Sequence, residues 1–279
     1  MSAKHKDRIA TALLWGVAFL IIAILIWFLV YILGRGLPYL KLQFLSAPGG
    51  VGAQLFNSFY ILFLSLLFSL PIGVGAGIYL AEYAPSNKLT DLIRLSTESL
   101  ATVPSIVFGL FGMIIFVNVL GLGFTILGGA ATLALLNLPV LVRVTEESLR
   151  AVPESYREAS LALGATMWQT LRKVVLPTAL PGLLTGVTLV SGRALGETAI
   201  LIFTAGMNVS RRLFDVNPMA AGETLAVHLF AVKSNPLPGM NADAVANGTA
   251  ALLILMVLIF NLALVLPSRW LQRRMLGKN

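Results

Sequence analysis

Cysteine is absent from this 279-residue chain, which excludes disulfide frameworks and thiolate metal sites. Histidine occurs only at His5 and His228, too far apart in sequence for a histidine metal cluster within one chain. Charge is scarce: Asp, Glu, Lys and Arg make up 11% of residues, against about a quarter in soluble domains, so an ordinary globular protein is excluded. Basic residues outnumber acidic ones 20 to 12, yet no soluble segment carries a basic stripe with interleaved aromatics, and nucleic acid is not an expected partner. No G-x-x-x-x-G-K-S/T phosphate cradle occurs, and the terminal Gly277-Lys278-Asn279 lacks the rest of that motif. The remaining polar residues supply no set of nucleophile, base and orienter, which argues against an enzyme.

What the chain has is apolar length: 57% of residues are hydrophobic and the mean hydropathy is +0.88. A bilayer-spanning helix needs about 20 mainly apolar residues. Six stretches qualify, at about 9–33, 55–81, 100–120, 124–142, 180–205 and 249–267. They predict an all-α, polytopic membrane protein with six transmembrane helices in one domain. The first run is longer than the roughly 7–15 residue core of a signal peptide, and no small-residue cleavage site clearly follows, so it is read as a retained span. Six spans place both termini on one side. That side would hold most Lys and Arg, from Lys4 and Lys6 through Arg94, Arg143 and Arg172 to Lys278, against Arg35, Lys41, Arg211, Arg212 and Lys233 opposite. Both termini are therefore expected in the cytoplasm.

Glycine spacing predicts a compact bundle. Gly73 and Gly77, Gly182 and Gly186, and Gly192 and Gly196 are small-xxx-small pairs, which flatten one helix face and let backbones approach. Pro71 and Pro104 are candidate kinks or breaks, tolerated in lipid only where neighbours or water satisfy the freed backbone groups.

The segment 145–179 is too charged to cross a membrane. Tyr156, Ala159, Leu161, Leu163, Trp168, Leu171 and Val174 alternate there with Glu154, Arg157, Glu158, Arg172 and Lys173, a pattern of two short amphipathic helices. Gly164 falls where the first should end, because glycine adopts the left-handed C-cap without steric cost. Pro177 and Pro181 mark the start of the fifth span. From pattern alone, a solvated loop and a docking surface are equally good readings.

The spacing Glu158-Ala159-Ser160, three residues, Gly164, nine residues, Val174-x-Leu176-Pro177 resembles the cytoplasmic EAA loop of ABC importer permeases, with serine for the second alanine and valine for isoleucine. "GIYLAEYA" at 77–84, "VPSIVFGLFG" at 103–112 and "GRALGETA" at 192–199 extend the resemblance to the phosphate-specific permeases of the PstA type, over roughly residues 49–206. The resemblance implies a type I ABC importer permease fold in a bacterial cytoplasmic (inner) membrane. It also implies an assembly with a PstC-type sister permease, two PstB-type ATPase subunits that hold ATP and Mg, and a PstS-type phosphate-binding protein. No cofactor is expected on this chain. Glu158, Ala159 and Gly164 would couple it to the ATPase.

Arg193 and Glu197 lie four apart inside the expected fifth span. Counted from Leu180, Arg193 sits ~20 Å along it, where a charge costs about 2.5–3.5 kcal/mol even on the gentlest insertion scale. An intrahelical ion pair is one reading, although arginine before glutamate is the weaker order. The other is a donor fork for an anion on the translocation path, with Glu197 keeping binding weak enough for release. The residues leave both open; the family resemblance favours the path. Within the outer loop at 206–247, "GETLAVHLFAVK" reads as an interfacial helix, a membrane-surface anchor in preference to a contact for the binding protein, with His228 an interfacial residue. Asn208-Val209-Ser210 and Asn247-Gly248-Thr249 fit the glycosylation tripeptide, of little consequence in a bacterium. The expected function is ATP-driven phosphate import. Alternatives are import of another oxyanion, sulfate or molybdate, or a secondary transporter or channel.

Overall fold

Prolines, glycines and capping side chains set where the helices of this chain start, bend and stop. The computed structural model describes residues 3–46, 50–207, 212–236 and 241–275. Asn208-Val209-Ser210, Arg211 and the terminal Gly277-Lys278-Asn279 lie outside them. Helix α1 (Ala3–Gly36) leads through a single 3-10 turn (Leu37–Tyr39) to the short α2 (Leu42–Ser46). Helix α3 (Gly52–Ile78) ends in a π turn (Tyr79–Tyr83). Helices α4 (Lys88–Ala101) and α5 (Ser105–Gly112, continued as π turns over Met113–Val119) meet at 97°. Then follow α6 (Ile126–Arg150), α7 (Glu154–Ala162) and α8 (Met167–Thr170). A π turn (Leu171–Val175) carries α8 into α9 (Leu176–Leu195). Helices α10 (Ala199–Thr204), α11 (Leu225–Ser234) and α12 (Ala242–Met275) complete the chain. Five of these helical runs are long and apolar enough to cross a membrane, and six if the bent α4–α5 pair counts as one span.

Three expected spans change shape for local reasons. The third, expected over 100–120, is broken: the residue before a proline is driven out of the helical region, and Pro104 (φ −57°, ψ 138°) becomes the N-cap of α5. The fourth runs on past 142 to Arg150, and its first amides are capped from two sides. Thr125 Oγ1 accepts from the Gly128 amide at 3.1 Å, and the carbonyls of Ala220 and Pro218 accept from Ile126 and Leu127. The fifth, expected unbroken over 180–205, begins as early as Met167 and ends at Leu195. Its last carbonyls, on Arg193 and Ala194, accept from the amides of Gly196 and Glu197 at 3.1 and 3.3 Å, a tightened three-residue turn that stops the helix. Pro71 by contrast stays inside α3.

In lipid, close backbone approach replaces the hydrophobic effect as the source of helix association. Helices α3 and α6 make the most extensive contact in the fold. A methyl group built on Gly73 would lie 2.7 Å from Leu141 Cβ, and one on Gly77 2.5 Å from Thr145 Cβ. Gly182 and Gly186 do the same for α6 and α9, against Ser148 and Val144. The third pair divides: Gly192 faces Asn261 of α12, while a methyl on Gly196 would meet only the Arg193 carbonyl oxygen, at 3.8 Å. Around this frame Ile61, Leu133, Ile200, Leu201, Leu225 and Val227 form one buried apolar cluster. Helix α1 stands outside it, packed on α12 with most of its apolar side chains exposed on this chain.

Helix α11 corrects the sequence expectation. It is no surface anchor: Leu225 and Val227 are fully buried and His228 is 6% exposed, and the helix packs on α12 and α3. Its apolar residues occur on all sides, and a helix apolar all round belongs in the interior.

Candidate functional site

The break after α9 positions the charged pair. Arg193 occupies the last turn of α9, where its charge complements the helix dipole, and its side chain is exposed on this chain. Glu197 lies beyond the C-cap Gly196 and is 9% exposed. No i, i+4 ion pair forms, because the helix that would align the two ends between them. Among the described residues neither side chain makes a hydrogen bond or ion pair with any other. Polar atoms without partners lie close by in sequence and space: Ser191 Oγ and Asn261 Oδ1 are buried and unbonded, and a methyl on Gly192 would sit 3.3 Å from Asn261 Oδ1. Helix α10 beyond the break is fixed separately, its Thr204 carbonyl accepting from the Thr125 amide at 3.0 Å. A guanidinium retains its charge in essentially any protein setting, and interrupted backbone at membrane depth requires cover from protein or water.

The second assembly is α7 and its surroundings, at the opposite end of α6. Gly164 takes φ +83°, and the amides of Gly164 and Ala165 donate to the carbonyls of Leu161 and Ser160. This is the two-bond Schellman ending that the sequence position of the glycine anticipates. Thr166 then starts α8 with a reciprocal capping box to Gln169. The serine that replaces the second alanine has a structural reason: Ser160 Oγ and Thr170 Oγ1 are hydrogen-bonded at 2.9 Å, tying α7 to α8. Glu158, Ala159 and Gly164 are exposed, as are the apolar side chains of Tyr156, Leu163, Met167 and Trp168 beside them. A cavity of about 490 Å³ opens between α7, the end of α6 and the start of α9, lined by Ser148, Tyr156, Ala179 and Gly182.

Two polar clusters escaped sequence reasoning. Arg157 of α7 is 8% exposed and donates to Glu82 Oε1 and Oε2 at 2.8 and 3.4 Å. It also donates to the carbonyls of Leu149 and Val152 at 2.8 and 2.9 Å. The bond to Glu82 raises the guanidinium pKa above its already high ordinary value, outweighing the opposing effect of burial. Near the start of α3, Gln54 Nε2 donates to Glu223 Oε1 at 2.8 Å, and His228 Nδ1 lies 2.7 Å from the same oxygen. Glu223 is 1% exposed, so this cluster pins α11 into the bundle. Separations of 75 and 169 residues leave no local pattern from which either could be read. Among the described residues, no three His, Cys, Asp or Glu side chains converge as a metal site.

Comparison with known proteins agrees with this architecture. Residues 73–277 match the model of a family described as "Binding-protein-dependent transport system inner membrane component". The probable ABC transporter permease protein YqgI of Bacillus subtilis is 46% identical over 97% of this chain and 96% of its own length. The phosphate transport system permease protein PstA of Pasteurella multocida is 35% identical over 93% of each chain. Among solved structures, an inward-facing MetNI methionine ABC transporter chain superposes with a TM-score of 0.63 at 23% identity, over 78% of this chain and 94% of that one. The fold is accordingly that of the type I ABC importer permeases, and the chain belongs to the family of binding-protein-dependent transport system inner membrane components, as a multi-pass ABC permease subunit.

Proposed function

We propose that this permease conducts inorganic phosphate across the inner membrane, with Arg193 and Glu197 on the translocation path. In this reading it pairs with a sister permease, and a phosphate-binding protein delivers substrate at the outer face. Two ATPase subunits, which hold ATP and Mg, engage the α7 end. Both termini and α7 are then cytoplasmic, and the helix fits the ATPase through its exposed face around Glu158, Ala159 and Gly164. The observation that carries the reading is the guanidinium of Arg193, held at the end of a broken span with no partner among the described residues. Discontinuous helices mark the substrate site in many transporters, and a guanidinium fork is suited to phosphate oxygens. Similarity to PstA along nearly the whole chain favours phosphate over sulfate or molybdate. ATP binding draws the ATPases together, α7 follows, and the path opens outward; hydrolysis returns it. Such cycling requires nucleotide to bind the two states with different affinity.

The test is ATP-dependent uptake by the reconstituted complex, comparing phosphate with sulfate and molybdate, for wild type and for Arg193→Ala. Losing a charged hydrogen bond of about 1.5–3 kcal/mol should cut phosphate flux at least about tenfold, with assembly and basal ATP hydrolysis retained. Unchanged flux in Arg193→Ala refutes the path role. Equal transport of sulfate or molybdate refutes phosphate selectivity, and phosphate movement by the chain without ATPase subunits refutes the importer reading.

A further inference from the structure

Arg157 is the only buried residue of α7. A guanidinium has five N–H donors, and here all five are used: two reach Glu82 in the π turn that ends α3, two reach the carbonyls of Leu149 and Val152 at and just past the end of α6, and one reaches Glu154 within α7 at 3.3 Å. The Glu82 side chain is 5% exposed, so this ion pair is sheltered from solvent, unlike Arg143–Glu147, whose side chains are 52% and 62% exposed. Sheltered pairs are screened little by salt, and truncating one partner strands the other charge. The rest of α7 is solvent-facing, apart from the half-buried Ser160 that bonds Thr170. A pull on the exposed face of α7 therefore leaves the helix by two routes. One is Ser160–Thr170 into α8 and α9. The other is Arg157 into α3 and α6, which the glycines at 73 and 77 already seal together.

The geometry points to Arg157 and Glu82 as a positioning pair that makes α7, the end of α3 and the end of α6 move as one rigid block during the transport cycle. The proposal rests on the reading of α7 as the contact for the ATPase. Lysine cannot replace the arginine, since its three donors radiate from a single point and lack the planar fork. Glutamine at 82 keeps the shape but removes the charge.

The test uses the whole importer in lipid nanodiscs. Spin labels are attached through cysteines placed at Ser155 and Tyr79, both exposed, in a chain with no cysteine of its own. With the pair intact, the label separation should be the same without nucleotide and in an ATP-trapped state. In Glu82→Gln and Arg157→Lys it should become broad and state-dependent. Substrate moved per ATP should fall about tenfold, the effect of one lost charged hydrogen bond, while ATP hydrolysis continues. A separation that changes between states in the otherwise unaltered chain overturns the rigid block, whether or not the variants assemble. Wild-type stoichiometry in both variants overturns the positioning role, since a merely stabilising pair would lower yield and leave stoichiometry alone. A complex that carries no phosphate yet keeps a constant separation sinks the substrate assignment and leaves this inference standing.

Discussion

Replacing Gly77 by alanine should weaken the α3–α6 seam, and replacing Gly75 should not. The two residues share a helix, so each substitution gains the same intrinsic helix preference, up to about 1 kcal/mol. They differ in what the new methyl meets. At Gly77 it would lie 2.5 Å from Thr145 Cβ, 2.7 Å from Thr145 Cγ2 and 2.7 Å from the Val142 carbonyl oxygen; at Gly75 nothing lies within 4 Å. Unstrained heavy-atom contacts fall near 3.5–4.0 Å, so α6 must retreat by roughly 1 Å, and a backbone carbonyl inside a helix has no rotamer by which to yield. Overpacking of this kind costs about 1–3 kcal/mol. At about 2–4 °C per kcal/mol for chains approaching this size, the unfolding midpoint of Gly77→Ala should fall roughly 2–12 °C below that of Gly75→Ala. Differential scanning of the two variants in the same nanodiscs reads the difference directly. Equal midpoints, or a lower one for Gly75→Ala, would refute close backbone approach as what holds α3 to α6.

At Gly164 the obstacle is conformational: its φ is +83° and nothing lies within 4 Å of a built methyl. A β-branched residue there bears a left-handed cost of about 1–2 kcal/mol, so Gly164→Val should lower substrate moved per ATP more than Gly164→Asn, with subunit assembly retained; equal uptake per ATP in both would refute the role given to the α7 ending. Glu223→Ala strands the Gln54 amide and the His228 ring at about 1–3 kcal/mol for each buried group. Limited proteolysis should then cut the 206–247 loop faster than in Glu223→Gln, which keeps an acceptor oxygen.

How far the fold could be read from sequence depended on the range of the interaction responsible. Apolar runs and small-xxx-small spacing are local, so the spans of α1, α3, α6 and α12 and the glycine seams at 73/77 and 182/186 were legible. The left-handed ending at Gly164 was legible for the same reason. The break after Leu195 was not, because an apolar count over 180–205 ignores the short turn that Gly196 and Glu197 close on the carbonyls before them. Read as one continuous helix, the segment aligns Arg193 and Glu197 for an i, i+4 pair that the structure does not form. The burial of α11 was missed because its polar anchors, Gln54 and Ser58, come from α3; Ser58 Oγ accepts from the Leu225 amide at 2.9 Å. Arg157 looked like one charge among several on a solvated face, and only its juxtaposition with Glu82 distinguishes it.

The arginines proposed for the path and for the α7 joint are told apart by what their donors meet. Arg157 has every N–H bonded within its own chain, which suits a fixed mechanical joint. Arg193 has none bonded among the described residues, so on the proposed path its charge would be met by water, a second subunit or a passing anion. The two sites are physically continuous. From Met167 the helix runs 29 residues to Leu195, about 40 Å at 1.5 Å per residue. Its first turn is tied to α7 through Thr170, and its last carries Arg193. Beyond the break, α10 is held by the Thr204–Thr125 bond and by packing against α5. A displacement entering at α8 can therefore reach Arg193 along one helix, while Glu197 lies beyond the break, next to the segment tied to the N-cap of α6. The interruption at Gly196 places the two charges on different segments, whereas an unbroken helix would align them for a permanent ion pair.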